Sequence, residues 1–185
     1  MPSLGVDHFT RLDAGGLVRD PAAITSHLMP GAADESLLQN ALTLQANAIH
    51  QMGQVAVSVT LINDRTGHHV PTDSPLRQLI LLVEAVGSDG ERLAQVSGPR
   101  IPAWAGVGNP VEGYYAGLPG TAYARILEEK WTLVSPTGAY WNPTTVLSDN
   151  RIPALGSDTT VYTFPAPETG KIQIRITLLF RRAFI

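Results

Sequence analysis

Two adjacent histidines lie in the segment GHHVPTDSPLR, residues 67–77, where the residues able to do chemistry are densest. Neighbouring side chains of an extended chain point to opposite faces, so one metal ion would take only one of His68 and His69. Each ring is either a ligand or hydrogen-bond donor at a strand end, or a turn residue bonded to a loop carbonyl. A structural role predicts enclosed rings. A recognition role predicts that at least one of the two rings is partly exposed beside Arg77 or residues 104–120. We favour a recognition role for His68 and a structural role for His69.

Backbone constraints make the same segment rigid. Pro71 and Pro75 bias the residues before them to extended geometry, and the polar run at 72–74 can bond loop amides. Arg77 then enters an apolar strand, where a guanidinium needs a carboxylate or carbonyl partner. A loop that is both rigid and polar is either a recognition surface or a well-tied connection. Arg77 is therefore a binding candidate together with the two histidines.

Aromatic residues are concentrated in one stretch of the chain. All three tryptophans and four of the five tyrosines lie between residues 104 and 141, some of them in a Gly/Pro-rich loop at 103–120. Such a cluster is either a platform for stacking sugars or binding protein, or a plug whose rings fill the core. The binding candidates from this stretch are Trp104, Tyr114 and Tyr115.

Motifs of catalysis and of metal binding are missing or incomplete. No G-x-S-x-G is present. Glu128 and Glu129 point to opposite faces of a strand, so they cannot form a glycosidase pair and are expected on a solvated strand edge. The oxygens of Asp149, Asn150 and Asp158 could hold Ca²⁺, but spaced Asp and Asn more often form turns. We therefore predict that the protein is not an enzyme, with no catalytic residues and no metal ligands.

Composition excludes several further classes of protein. The 185 residues include no cysteine, which excludes disulfides, Cys-ligated zinc and covalent c-type haem attachment within this chain. A net charge of −3 argues against binding nucleic acid or anionic membranes by bulk charge. No apolar run approaches the roughly 20 residues of a membrane helix, and the start of the sequence shows no signal-peptide pattern.

Hydrophobic periodicity predicts strands joined by turns. Apolar residues alternate with polar or small ones in 42–48, 55–61 and 172–178, and the apolar run 78–86 is typical of a central strand covered on both faces. Shorter strands are expected at 92–96, 123–131 and 161–164. The residues expected to be mainly buried are Val55, Val57, Val59, Leu61, Ile80, Leu82, Ile174 and Ile176.

With seven or eight strands and no long helical window, the predicted fold class is all-β. The specific expectation is an antiparallel β-sandwich of immunoglobulin or fibronectin type over residues 37–185. Gly and Pro punctuate residues 1–36 at short intervals, so this part is expected to be an irregular, extended N-terminal arm.

One stretch of the sequence resembles a known family. VTLINDRTGHHVPTDSPLRQLILLVEA is similar to the N-x-x-x-GH-x-x-PT-x-x-P-x-R pattern of the non-haem C-terminal β-domains of bacterial multihaem c-type cytochromes. That family usually has PTG where this chain has Pro71-Thr72-Asp73. The later segments SDNRIPA and IRITLLFRRAF also resemble strands of that domain. In such cytochromes the β-domain follows a haem-bearing segment with CxxCH sites, and this sequence contains none.

The resemblance implies a non-catalytic accessory domain that docks on a haem-bearing domain or chain of a periplasmic or extracellular electron-transfer cytochrome. It would bind no haem covalently but could contact the haem of its partner. His27, in the Pro/Gly-flanked arm, could reach such a haem iron as an axial ligand. The alternative function is a carbohydrate- or ligand-binding sandwich that uses the aromatic stretch 104–141.

Overall fold

The computed structural model describes residues 3–26, 31–72, 74–166 and 170–185. The chain divides into two compact units, Met1–Glu35 and Ser36–Ile185. Within the described part of the first unit, short 3₁₀ turns are joined by irregular chain, and an isolated bridge pairs Ser3 with Thr25. The division between the units falls one residue before the predicted one.

The second unit is built from two antiparallel sheets. One sheet has the order β1-β2-β6, where β1 is Thr43–Gln51, β2 is Gln54–Ile62 and β6 is Ser157–Pro165. The other has the order β5-β4-β3-β7, where β5 is Thr144–Asp149, β4 is Gly120–Glu129, β3 is Gln78–Val86 and β7 is Gln173–Arg181. The prediction of an antiparallel β-sandwich is therefore confirmed. The short helix α1, Glu35–Gln39, precedes β1.

Two details of the predicted strands are wrong. Residues 92–96 form no strand, and only a single bridge joins Arg92 to Val86. Strand β5 was not expected, because its residues are mostly exposed on both faces and so show no apolar alternation. No helix in the described residues is long and apolar enough to cross a membrane.

The main core lies between the inner faces of the two sheets. The four alternating residues predicted on β2, Val55 to Leu61, are buried against alternate residues of β3 such as Leu81 and Val83. Tyr162 and Phe164 of β6 complete the core and are fully buried. Ile174 and Ile176 pack on this core but stay partly exposed. Their predicted burial is wrong because β7 is an edge strand with a neighbour on one side only.

A second apolar cluster covers the opposite face of the four-stranded sheet. Ile80 and Leu82 point to this face and are buried, as predicted, beneath Ile101 and Ala105 of the loop that precedes β4. At the end of this loop β4 begins with Gly120, which lies so close to β3 that a Cβ on it would be 2.1 Å from the Leu81 carbonyl oxygen. Both faces of β3 are therefore covered, which explains its unbroken apolar run.

Candidate functional site

Asn63 ties the segment that follows β2 to the end of β5. Its side chain is fully buried, and its Nδ2 donates to the carbonyl oxygens of His68 at 2.8 Å and of Ile152 at 3.0 Å. The Thr66 hydroxyl donates to Asn63 Oδ1 at 2.6 Å. One buried amide therefore fixes the GHHVPT segment against residues 150–153.

Backbone pairing joins the same two segments directly. Val70 and Ile152 exchange two hydrogen bonds of 2.9 Å each, and both side chains are buried. Asn150 accepts from the Ala124 amide at 2.9 Å and donates to the Ala122 carbonyl at 2.8 Å, which holds the same segment on β4. The two stretches that carry the family resemblance, GHHVPT and SDNRIPA, thus meet in space.

A polar pocket opens beside this junction, on the inner side of the four-stranded sheet. Its volume is about 230 Å³, and its walls are the loop after β2, the strands β4 and β5, and Arg151. Tyr123, Arg125 and Leu127 alternate on one face of β4, and Tyr123 lies in the main core. The pocket therefore forms where that face continues beyond the buried core. Its lining is Pro71, Thr72, Ser74, Pro75, Arg77, Arg125, Leu127, Thr144, Val146 and Arg151.

Three of the lining residues are arginines, Arg77, Arg125 and Arg151, and none of the described lining residues is Asp or Glu, so we call this cavity the arginine pocket. Arg151 donates two hydrogen bonds to the Asp149 carboxylate, from Nε at 2.7 Å and from a terminal nitrogen at 2.6 Å. Arg125 Nε lies 4.0 Å from the same carboxylate. The pocket is thus walled by cations that converge from three separate segments.

The Arg151–Asp149 pair alters the ionisation of both partners. The hydrogen bonds from Arg151 hold the pKa of the Asp149 carboxyl below its ordinary value, against a smaller opposing effect of burial. The same hydrogen bonds raise the pKa of Arg151. Asp149 therefore stays ionised and keeps the Arg151 side chain oriented at the pocket wall.

Arg77 obtains the kind of partner expected for an arginine at the start of an apolar strand. Its guanidinium donates to the Arg182 carbonyl oxygen at 2.7 Å, next to the end of β7. The Ser74 hydroxyl accepts from the Leu76 amide at 3.2 Å and closes the turn ahead of it. Asp73, predicted with its neighbours to bond loop amides, lies outside the described residues.

The histidines do not line the arginine pocket. His68 and His69 are both exposed, so the expectation of an enclosed, structural ring at His69 is wrong. His68 makes a local contact of 3.0 Å, from its Nδ1 to the His69 carbonyl oxygen. His27 lies outside the described residues. A binding role for these three residues stays a prediction.

The aromatic candidates of the loop before β4 contribute to packing. Trp104 and Tyr115 pack on the outer cluster of the four-stranded sheet, and Trp104 meets Phe184 edge to face at 5.9 Å. The Arg181 guanidinium lies over the Tyr115 ring at 5.4 Å from its centroid. Tyr114 is half-buried beside Gly106 and Gly108. These contacts match the alternative in which the rings fill a core; their role in binding stays untested.

The exposed aromatic rings lie instead in the connection from β4 to β5. Trp131, Tyr140 and Trp141 are 72%, 90% and 70% exposed, and Tyr140 meets Trp141 edge to face at 5.0 Å. We call this connection, residues 130–143, the aromatic tip. It belongs to the hairpin whose strands provide Arg125 and Thr144 to the pocket.

A buried carboxylate holds the aromatic tip. Glu129 is buried, and it accepts hydrogen bonds from the Thr132 hydroxyl at 2.5 Å and from the Asn142 side-chain amide. The prediction that Glu128 and Glu129 lie on a solvated edge is therefore wrong for Glu129. The strand bends there into a compact loop whose polar groups need an acceptor.

Sequence reasoning missed several residues of this site. Arg125 lies on β4 and Arg151 lies just after β5, and no spacing in the sequence links either residue to Arg77. For Arg151, the neighbouring Asp149-Asn150 pair was a signal, since Asp149 pairs with it and Asn150 bonds backbone. Asp158, considered as a calcium ligand, accepts the Tyr123 hydroxyl at 2.7 Å. Within the described residues, no three His, Asp or Glu side chains come together as a metal site.

Comparisons with known proteins identify a solved structure with a similar fold. No family model matches the sequence, and no curated protein matches it. Among solved structures, the chain is similar to a penta-heme cytochrome c552 from Thermochromatium tepidum, with a TM-score of 0.57 and 19% sequence identity. The likeness covers 83% of this chain and 35% of the cytochrome chain. At this identity the likeness is one of fold.

Proposed function

We propose that this chain is a non-catalytic accessory domain of a multihaem electron-transfer cytochrome, and that it docks on haem-bearing protein through one hairpin. The observation that carries the proposal is the β4–β5 hairpin, which carries the exposed Trp131 and Trp141 together with one pocket-lining arginine, Arg125. The fold likeness to part of a penta-heme cytochrome supports a haem-bearing partner. An extracytoplasmic location, periplasmic or extracellular, belongs to the same proposal.

The composition of the hairpin is that of a protein interface. Tryptophan, tyrosine and arginine are the residues most enriched where a few side chains dominate binding energy. The aromatic tip offers large apolar rings, and Arg125 on the same hairpin offers a cationic donor to the arginine pocket. A haem-bearing surface presents apolar haem edges and anionic propionates, so it matches both features in chemistry.

The direct test measures binding between this chain and the haem-bearing polypeptide encoded in the same or the neighbouring reading frame. We expect a saturable complex whose affinity falls as salt is raised, because the arginines contribute electrostatic attraction. Trp131→Ala combined with Trp141→Ala should weaken the complex by about tenfold or more, since each truncation removes an exposed ring that would be buried.

A matched control is Met52→Ala, in the tight turn of the other hairpin. Met52 is also an exposed apolar residue, at 91% exposure, but it lies between β1 and β2. The proposal expects Met52→Ala to leave the affinity unchanged. Equal losses in both variants, or no complex with the haem-bearing polypeptide at all, would contradict docking through the β4–β5 hairpin.

Sugar binding remains the competing function for the exposed rings. Trp131 and Trp141 could stack on pyranose rings in the absence of any haem protein. Titration with oligosaccharides, followed by tryptophan fluorescence, separates the two functions. Saturable oligosaccharide binding that is lost in the Trp131/Trp141 double variant, without cytochrome binding, would replace the docking proposal.

A further inference from the structure

The arginine pocket has the size of a small anionic group. Its volume of about 230 Å³ is below the roughly 300–1,000 Å³ of pockets that enclose a whole drug-sized ligand. It is several times the roughly 30 Å³ that one water molecule occupies in the liquid. A haem or a sugar chain does not fit inside, whereas a single carboxylate with its hydration does.

Arg125 is the residue best placed to receive such a group. Its side chain is 46% exposed, and Asp149 lies 4.0 Å from its Nε, beyond hydrogen-bond distance. The Asp149 carboxylate is instead engaged by the two short hydrogen bonds from Arg151. Among the described residues, none accepts a hydrogen bond from the Arg125 guanidinium. Arg125, a lining residue of the pocket, therefore has hydrogen-bonding capacity that Asp149 does not use.

The remaining walls suit a carboxylate. The lining adds hydroxyl groups from Thr72, Ser74 and Thr144, which donate to anionic oxygens, and apolar surface from Leu127 and Val146. Arginine forks match the planar geometry of a carboxylate and form paired hydrogen bonds with it. The position is fixed, because Asn63 and Asn150 anchor the two segments that border the pocket.

We propose that the arginine pocket binds one carboxylate group presented by the docking partner, with Arg125 as the principal ligand. The identity of the partner rests on the function proposed above; the affinity of the pocket for a carboxylate does not. The carboxylate comes from one of two sources, a haem propionate or an acidic side chain of the partner. Both present the same planar anion, so they are distinguished by experiment.

The first arm uses the isolated 185-residue chain and simple anions. Propionate and succinate are titrated at constant ionic strength while the Nε–H signals of the arginines are followed by NMR. We expect saturable shifts at Arg125 and Arg151, and Arg125→Gln should weaken the fitted affinity by about tenfold. Arg125→Lys, which keeps the charge but loses the fork, should fall between the wild type and Arg125→Gln.

The matched control is Arg92→Gln. Arg92 pairs with Glu84 at 2.9 Å and lies beside the far end of β3 from the pocket. We expect this variant to bind carboxylates like the wild type. Shifts that rise linearly without saturation, or equal losses in Arg92→Gln and Arg125→Gln, would overturn the pocket as a carboxylate site.

The second arm distinguishes the two sources. A soluble haem peptide with free propionates is compared with the same peptide after esterification, and an acidic peptide with its amidated form. Loss on esterification assigns a propionate, and loss on amidation alone assigns a side-chain carboxylate. If neither form binds, the inference fails. Docking that survives Arg125→Gln but not the tryptophan double variant would refute the pocket's role and leave the proposed docking function intact.

Discussion

At the residue scale, the Arg151–Asp149 pair makes a prediction about pH. The pKa of Asp149 is lowered chiefly by the Arg151 hydrogen bonds. A carboxyl with a lowered folded-state pKa contributes stability above its unfolded pKa, and that contribution is lost as the pH falls through the folded value. Arg151→Gln should therefore return the Asp149 pKa towards its ordinary value of 3.8. Carboxyl-carbon NMR titration measures this shift directly.

Arg92→Gln serves again as the comparison. Because the Arg92–Glu84 pair is separate from Asp149, this variant should leave the pKa of Asp149 unchanged. An unchanged Asp149 titration in Arg151→Gln would mean that the bidentate pair does not control this carboxyl. The same experiment bears on the pocket, since Asp149 must stay ionised to hold Arg151 in the wall.

Residue types alone indicated where binding groups are present but not how they combine. The exposed histidines, at 68 and 69, lie in the segment that forms one pocket wall, yet the lining comes from Arg77 and from two arginines far along the chain. Arg125 sits in a strand with no motif around it. Its role depends on which strands pair and where the core ends, and that information is absent from local sequence.

At the scale of elements, one buried side chain connects two loops. Asn63 donates to two carbonyl oxygens, of His68 and Ile152, and accepts the Thr66 hydroxyl. Asn63→Ala leaves these buried groups without their partner, so we expect a loss of about 2–4 kcal/mol in the free energy of unfolding. Chemical denaturation followed by circular dichroism measures this loss.

The Asn63 prediction has a matched control in β1. Asn47 is an exposed asparagine on that strand, and Asn47→Ala should change stability by less than about 0.5 kcal/mol. Asn63→Asp tests the mechanism, because it keeps the shape but points anionic oxygens at carbonyl groups; it should destabilise at least as much as alanine. A similar small effect for all three variants would show that Asn63 does not tie the loops.

Strands whose burial alternates were predictable from sequence, and strands without it were not. In β2 the residues Val55 to Leu61 alternate between core and surface, so the period of two is visible. Strand β5 is an edge strand with exposed residues on both faces, so its sequence carries no such period. The buried anchor of the aromatic tip escaped prediction for a related reason, since Glu129 has the character of a surface residue until its partners Thr132 and Asn142 are known.

At the scale of the whole molecule, the sandwich contains its own stabilising core. Every residue of the two apolar clusters falls between Leu42 and Phe180, as far as the described residues show. The first unit, Met1–Glu35, supplies none of them, and six of its large apolar side chains are exposed: Leu4, Val6, Phe9, Leu12, Leu17 and Val18. The energetic contribution of the two units is therefore very unequal.

This inequality predicts that residues 36–185 fold without the arm. A core of this kind is sufficient for a domain of such length, whereas a segment shorter than about 40 residues rarely folds alone without a disulfide, a metal or a partner. Calorimetry of residues 36–185 should show one cooperative transition, with a midpoint within about 4 °C of the full chain, which corresponds to about 1 kcal/mol or less at this size. Residues 1–35 as a separate peptide should show no cooperative transition. Loss of cooperative unfolding in the truncated chain would mean that the arm is part of the folding unit. An intact sandwich that still docks would place the binding face within residues 36–185.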